Sequence, residues 1–172
     1  MSTYHAPALP SRRQDAPEPA AEDAVRRRGD HVLVSSVSSD SHTWNLVFLQ
    51  LLLEERGHEV TNIGACVPDQ LLIDECLRVR PDLVVISSVN GHGALDGARA
   101  VRRLRDHPDL RDIRVVIGGK LGVRGAEAGT YGPELLAAGY DAVFEDAAGV
   151  ARFRRYLDRA ATPAVAASGA PR

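Results

Sequence analysis

Residues 83–87 are Leu-Val-Val-Ile-Ser, a run of four apolar side chains of which three are β-branched. An uninterrupted apolar run, without alternation of apolar and polar positions, is typical of a strand that is buried on both faces of a parallel sheet. The stretch therefore predicts a buried strand of an α/β fold in which helices cover both faces of the sheet.

Similar strands are predicted on both sides of this run, and they alternate with segments of helical periodicity. The other four strands are predicted at His31–Val37, Glu59–Ile63, Arg114–Ile117 and Ala142–Phe144. Helices are predicted at Trp44–Arg56, Pro68–Val79, Ala94–Arg105, about 133–138 and Gly149–Ala160. Gly57 is expected to end the first helix. Gly118-Gly119 is expected to end the fourth strand.

Strands that alternate with helices in this way indicate a doubly wound, flavodoxin-like sheet of five parallel strands in the order 2-1-3-4-5. Such sheets bind ligands beyond the carboxyl ends of their strands, near the point where the strand order reverses. The function is therefore sought in three loops, Ser38–Asn45, Ser87–Gly93 and Gly118–Gly122.

Length and composition limit the class of protein. The chain has 172 residues, 44% of them hydrophobic, and a formal net charge of -2, which gives no reason to expect nucleic acid as a partner. No apolar run is long enough to cross a bilayer or to form a signal peptide, so a cytoplasmic protein is expected. Residues 1–29 and 161–172, which lack apolar periodicity, are expected to be disordered tails around one domain at 30–160.

The first loop contains a candidate metal ligand. Asp40 stands two residues before His42, so its carboxylate can accept a hydrogen bond from one imidazole nitrogen and leave the other nitrogen to donate a lone pair. One histidine cannot hold a bare zinc ion, but a metal that is already held by a macrocycle needs only one or two axial ligands. The alternative is that Asp40 or Thr43 caps the first helix and that His42 is simply exposed.

Two further signals lie at the same edge of the sheet. The hydroxyls of Ser87 and Ser88 can bond a heteroaromatic nitrogen or a phosphate, and Gly91 and Gly93 leave space near the backbone. Gly118-Gly119 likewise removes side chains at the end of the fourth strand. Each signal alone is also compatible with an ordinary strand end and turn.

The three loops resemble the cobalamin-binding domains, whose pattern is DxHxxG, then SxL, then GG. The matching residues are Asp40–Asn45, Ser87-Ser88-Val89 and Gly118-Gly119. The resemblance covers roughly residues 30–157 and is closest to the small subunit of adenosylcobalamin-dependent glutamate (methylaspartate) mutase. That subunit shares two further stretches, here Val60–Gly64 and Gly139-Tyr140-Asp141.

The resemblance implies a cofactor, a ligand and a partner. The cofactor would be adenosylcobalamin bound base-off, with His42 as the lower axial ligand of cobalt and Asp40 tuning that histidine. Ser87 would reach the displaced benzimidazole, and no residue of this subunit would itself be catalytic. A larger barrel-type mutase subunit would bind the substrate, and a homodimer is possible. The implied cofactor-binding residues are Ser39, Asp40, His42, Thr43, Ser87, Val89, Gly91, Gly118 and Gly119.

The chain departs from the family pattern around the implied pocket for the nucleotide tail. Asn45 stands in place of glycine, Val89 in place of leucine, and Lys120 in place of the usual asparagine. Glu145-Asp146-Ala147 replaces a Pro-Gly-Thr turn, and its two acidic residues either repel a phosphate or lie outside the pocket.

Other functions of the same fold remain as alternatives. A receiver domain needs an acidic residue after the third strand, where this chain has Ser87 and Ser88. An FMN-binding flavodoxin could use the hydroxyls of Ser35–Ser39 for a phosphate, but the later loops lack obvious aromatic partners for the ring system. A corrinoid carrier or an interaction module without cofactor is the remaining alternative.

Overall fold

The computed structural model describes residues 29–123, 131–145 and 148–160. Five strands are present in these ranges: β1 His31–Ser35, β2 Glu59–Asn62, β3 Leu83–Ser88, β4 Arg114–Gly119 and β5 Ala142–Glu145. They alternate with five helices: α1 Trp44–Glu54, α2 Asp69–Val79, α3 Gly93–Asp106, α4 Gly132–Ala138 and α5 Gly149–Ala160. The two predicted tails lie outside the described residues, apart from Gly29.

The five strands form one parallel sheet in the order β2-β1-β3-β4-β5, so the predicted fold class and strand order are confirmed. The strand order reverses at β1, because β2 lies on one side of β1 and β3 lies on the other. The loops after β1 and β3 therefore meet at the carboxyl edge, where ligands bind in folds of this type.

Alternate residues of each strand face opposite sides of the sheet, and each side has its own hydrophobic core. Leu33, Val84 and Ile86 pack on one side against α2, α3 and α4. Val34 and Val85 pack on the other side against α1 and α5. This division matters for function because the groove between α1 and α5 opens at the carboxyl edge of the sheet.

The predicted ends of β2, β3 and β5 differ from the observed ends by one residue, and the predicted ends of β1 and β4 are wrong by two residues. β1 ends at Ser35 and not at Val37, because the hydroxyl of Ser36 donates to the carbonyl of Ser87 (2.8 Å) and the chain leaves the ladder there. β4 continues through Gly118 and Gly119, which pair with Ser87 and Ser88 of β3. Glycine often stops a strand, but close approach to a neighbouring backbone is another use of glycine in strands.

Replacing Gly119 with alanine is expected to lower the free energy of unfolding by about 2–3 kcal/mol. Gly119 has a φ of +113°, and a Cβ there would lie 2.2 Å from the carbonyl oxygen of Ser88. Gly64→Ala is the control, because Gly64 has a φ of +88° but no atom of the described residues lies within 4 Å of the place that a Cβ would occupy. It should cost only the backbone strain, about 1 kcal/mol. Chemical denaturation of both variants measures the difference, and equal losses would contradict the steric argument.

Among the described residues, no helix has the length and apolar character that crossing a bilayer requires.

Candidate functional site

The loop after β1 brings the predicted aspartate and histidine together. Nδ1 of His42 lies 2.7 Å from Oδ1 of Asp40, and the backbone N–H of His42 donates to the same oxygen at 3.0 Å. A hydrogen bond from Nδ1–H to the carboxylate leaves Nε2 as the nitrogen that carries the lone pair. The tautomer and the ring orientation needed for metal ligation are therefore both favoured.

Asp40 also joins the loop after β1 to the end of β3. Its second carboxylate oxygen accepts hydrogen bonds from the hydroxyl of Ser88 (2.9 Å) and from the backbone N–H of Val89 (2.6 Å). Burial by itself would raise the pKa of Asp40, but the hydrogen bonds from His42, Val89 and Ser88 hold the pKa below its ordinary value. The carboxylate is fully buried and charged, so it can orient the imidazole that rests against it.

The helix-cap alternative does not describe this loop. Thr43 occupies the N-cap position of α1, but its side chain makes no capping hydrogen bond. The carboxylate of Asp40 is bonded to His42, Ser88 and Val89 instead of the first turn of α1. The ring of His42, with 47% of its side chain exposed, remains accessible at the carboxyl edge.

Asn90 is a residue of the site that the sequence analysis missed. Its side-chain nitrogen donates to the carbonyl and the hydroxyl of Ser39 (2.7 and 3.0 Å). Its side-chain oxygen accepts from the backbone N–H of His92 and lies 3.1 Å from the hydroxyl of Ser88, whose single hydrogen it shares with the nearer Asp40. Asn90 thus closes the loop after β3 onto the loop after β1. Its position before Gly91, which has a φ of +84°, is a turn signal that could have drawn attention to it.

An apolar cavity of about 320 Å³ lies beside this pair of loops, between α1, α5 and the sheet. Its walls include four aromatic side chains, Trp44, Phe48, Phe144 and Phe153. These rings lie in α1, β5 and α5. The sequence analysis considered aromatic partners for a ring system only in the later loops and therefore missed them. The predicted site residues Ser87, Val89, Gly118 and Gly119 also line the cavity.

Asn45 changes the polar end of this cavity. Its side-chain nitrogen donates to the hydroxyl of Ser87 at 2.8 Å, and both residues are buried. The side-chain oxygen of Asn45 is buried and has no hydrogen-bond partner among the described residues. The asparagine that replaces the glycine of the family pattern therefore contacts the serine that is implied to reach the nucleotide base.

Packing between neighbouring strands explains the two glycines of β4, which were predicted to make room for a cofactor. A Cβ on Gly118 would lie 2.9 Å from the carbonyl oxygen of Phe144 in β5. Glycine is thus required for the approach of neighbouring strands, and that requirement alone accounts for its presence. Whether Gly118 and Gly119 also make room for a cofactor stays a prediction.

Glu145 lies at the end of β5, and its carboxylate faces the start of α4. It accepts hydrogen bonds from the backbone N–H groups of Tyr131 (3.1 Å) and Gly132 (2.7 Å). A carboxylate at a helix start is favourably placed, because the free N–H groups there carry partial positive charge. Glu145 is therefore engaged with the protein itself, while Asp146 and Ala147 lie outside the described residues.

The donor set suits a cobalt that arrives in its own macrocycle. The described residues contain no group of three or more histidine, cysteine, aspartate or glutamate side chains able to hold a metal ion. His42 instead offers a single oriented nitrogen two residues before Trp44, which lines the apolar cavity. The side-chain oxygen of Asn45, buried in the wall of that cavity, has no partner in the described part of the chain. These residues fit a corrinoid whose nucleotide tail enters the cavity.

Comparison with known proteins identifies the family. The family model of the B12 binding domain matches residues 30–152. A glutamate mutase sigma subunit from Fusobacterium nucleatum is 34% identical over 91 residues, which are 53% of this chain and 66% of that protein. One from Treponema denticola is 30% identical over 113 residues, 66% of this chain and 81% of that protein.

Among solved structures, a cobalamin-binding protein from Desulfitobacterium hafniense superposes with a TM-score of 0.59 at 23% identity, over 76% of this chain and 60% of that one. This similarity concerns the fold. Together with the match over residues 30–152, it agrees with the sheet order and the position of the loops. The chain belongs to the B12-binding domain family.

Proposed function

We propose that this protein is the cobalamin-binding subunit of an adenosylcobalamin-dependent carbon-skeleton mutase of the glutamate mutase type. The observation that supports this most directly is the Asp40–His42 pair at the carboxyl edge of the sheet, next to the apolar cavity. The similarity of the chain to glutamate mutase sigma subunits supports the reaction class.

In this proposal, His42 binds cobalt through Nε2 as the lower axial ligand, in place of the base of the cofactor. Asp40 is a positioning residue, because it holds the Nδ1 proton and fixes the direction of the ring. The displaced nucleotide tail occupies the cavity, where Ser87 contacts its base and Val89, Gly118 and Gly119 form part of the wall. Ser39, Thr43 and Gly91 hold the loops around the corrin.

The cofactor supplies radical chemistry through its cobalt–carbon bond, which no side chain of this protein can replace. The chain itself contributes binding, the orientation of His42 and the exclusion of water from the nucleotide tail. We assign the substrate site to a separate, larger barrel-type subunit, with which this protein works in the cytoplasm. A homodimer of the small subunit is also compatible with the proposal.

Titration with hydroxocobalamin and adenosylcobalamin tests the proposal. We expect saturable binding and the absorption spectrum of a corrinoid whose cobalt has a lower nitrogen ligand, because His42 would take the place of the cofactor's own base. After reduction to cobalt(II), paramagnetic resonance should show hyperfine coupling to one nitrogen, and this coupling should change when the protein is grown with ¹⁵N-labelled histidine. Absence of binding, with and without a mutase large subunit, would favour an interaction module without cofactor. Binding with the cofactor's own base still on cobalt would favour a corrinoid carrier of another type.

A further inference from the structure

Arg99, in the second turn of α3, connects three parts of the fold. Its guanidinium donates to both carboxylate oxygens of Asp69 at the start of α2 (2.7 and 3.2 Å) and to the carboxylate of Asp96, which lies one turn earlier in α3 (2.6 Å). It also donates to the hydroxyl of Ser38 at 2.9 Å. Ser38 lies in the loop after β1, so this last contact reaches the loop that carries the candidate cobalt ligand.

Two carboxylates hold the guanidinium of Arg99 in place. The side chains of Asp69 and Asp96 are only 8% and 12% exposed, and each carboxylate needs a partner in place of the water that it has lost. Arg99 is an ion-pair partner of both. Because a guanidinium is planar and donates in fixed directions, the N–H group that meets Ser38 has a defined position.

Ser38 belongs to a tight turn, Val37–Asp40, that ends at the carboxylate behind His42. The backbone N–H of Asp40 donates to the carbonyl of Val37 at 3.1 Å, so Ser38 and Ser39 occupy the two central positions of the turn. Any movement of these two serines therefore moves the backbone from which the side chain of Asp40 extends.

Both central residues of the turn are bonded to α3. Ser38 accepts from Arg99, and the side chain of Ser39 is hydrogen-bonded to Asp96. Burial alone would raise the pKa of Asp96, but the hydrogen bonds with Ser39 and Arg99 hold that pKa below its ordinary value. The turn is thus attached to an ion pair on α3 as well as to the end of β3.

We propose that Arg99 is a positioning residue for His42, because it fixes the turn that ends at Asp40 and thereby the direction in which the imidazole faces cobalt. The inference rests on the proposed function, since it requires His42 to bind the metal. Nδ1 of His42 rests against the carboxylate of Asp40, so a shift of the turn rotates the ring. Residues that orient a metal ligand contribute to affinity without contact with the metal.

Two variants separate this role from a purely structural one. Ser38→Ala removes the contact between the turn and Arg99 but leaves both ion pairs of Arg99, so the link between α2 and α3 remains. Arg99→Ala removes the contact and the ion pairs together. Titration with hydroxocobalamin should show that both variants bind about 3- to 10-fold more weakly than the wild type. Arg99→Ala alone should also lower the midpoint of urea unfolding.

The cobalt(II) spectrum provides a readout that a loss of stability would not change. With ¹⁵N-labelled histidine, folded Ser38→Ala should show two components, one with the nitrogen coupling of His42 and one without it, where the wild type shows one. Arg103→Ala is the matched control. Arg103 also lies on α3 and contacts Asp69 and Gln70 of α2, but it makes no hydrogen bond to the turn within the described residues. It should leave the affinity and the spectrum unchanged.

The outcomes distinguish this inference from the proposed function. Unchanged affinity and coupling in Ser38→Ala would overturn it, even if Arg99→Ala is less stable, because Arg99 would then only join α2 to α3. Equal losses in Arg103→Ala would also overturn it, since any contact between these two helices would then have the same effect. In both cases the wild type still binds the corrinoid through His42, so the proposed function stands. If the wild type binds no corrinoid, the proposed function fails and the inference fails with it.

Discussion

Replacing His42 with alanine is expected to remove the protein nitrogen from cobalt and to weaken corrinoid binding by at least about 100-fold. Loss of a residue that only hydrogen-bonds to a metal ligand costs up to about this much, and loss of the ligand itself should cost no less. The nitrogen hyperfine coupling in the cobalt(II) spectrum should disappear with the side chain. The fold should persist, because 47% of the His42 side chain is exposed and its ring is held by a hydrogen bond to Asp40 at the edge of the sheet.

His92→Ala is the matched control for this variant. His92 is also an exposed histidine at the carboxyl edge, in the N-cap position of α3, and its link to the site runs through its backbone N–H, which donates to Asn90. A substitution that keeps the backbone should leave the affinity and the spectrum unchanged. Retention of the nitrogen coupling in His42→Ala, or its loss in His92→Ala, would show that His42 is not the ligand.

The sequence is sufficient to predict the fold because the relevant signals are local. The run at Leu83–Ser87, the leucines of α1 and the glycines after the strands each depend on a few neighbouring residues. Regular alternation of strands and helices then leaves few topologies, and the order β2-β1-β3-β4-β5 is the common one at this length. The pairing of Asp40 with His42 is predictable for the same reason, since the two residues stand two positions apart.

The contacts that complete the site are not local, and no local pattern of residues predicts them. Ser88 and Val89 bond to Asp40 across 48 and 49 residues, and Asn45 meets Ser87 across 42. These partners depend on how β1 and β3 align in the sheet, which periodicity does not determine. The aromatic cavity escapes prediction for a related reason, because its rings come from elements that pack together only in the folded chain.

The non-local contacts of Asp40 predict a large loss of stability when its side chain is removed. Asp40→Ala is expected to lower the free energy of unfolding by about 4 kcal/mol, because it leaves the backbone N–H groups of Val89 and His42 without their acceptor and creates a cavity where the buried side chain was. The hydroxyl of Ser88 loses the nearer of its two acceptors and keeps Asn90. Chemical denaturation measures this loss. A loss below about 1 kcal/mol would mean that water replaces the carboxylate and that Asp40 does not hold the two loops together.

Asp40→Asn separates the positioning of His42 from the stability of the loop. The amide keeps the size of the side chain but offers one acceptor where the carboxylate has two, and it no longer stabilises the ring proton of His42 with a charge. Corrinoid affinity should fall about 10- to 100-fold, and the cobalt(II) spectrum should report a changed nitrogen coupling. Ser88→Ala is the control, since it removes one hydrogen bond to Asp40 but leaves the carboxylate against His42. If Ser88→Ala alters the coupling as much as Asp40→Asn does, then Asp40 acts by holding the loop in place; if only Asp40→Asn alters it, the carboxylate acts on cobalt through the imidazole.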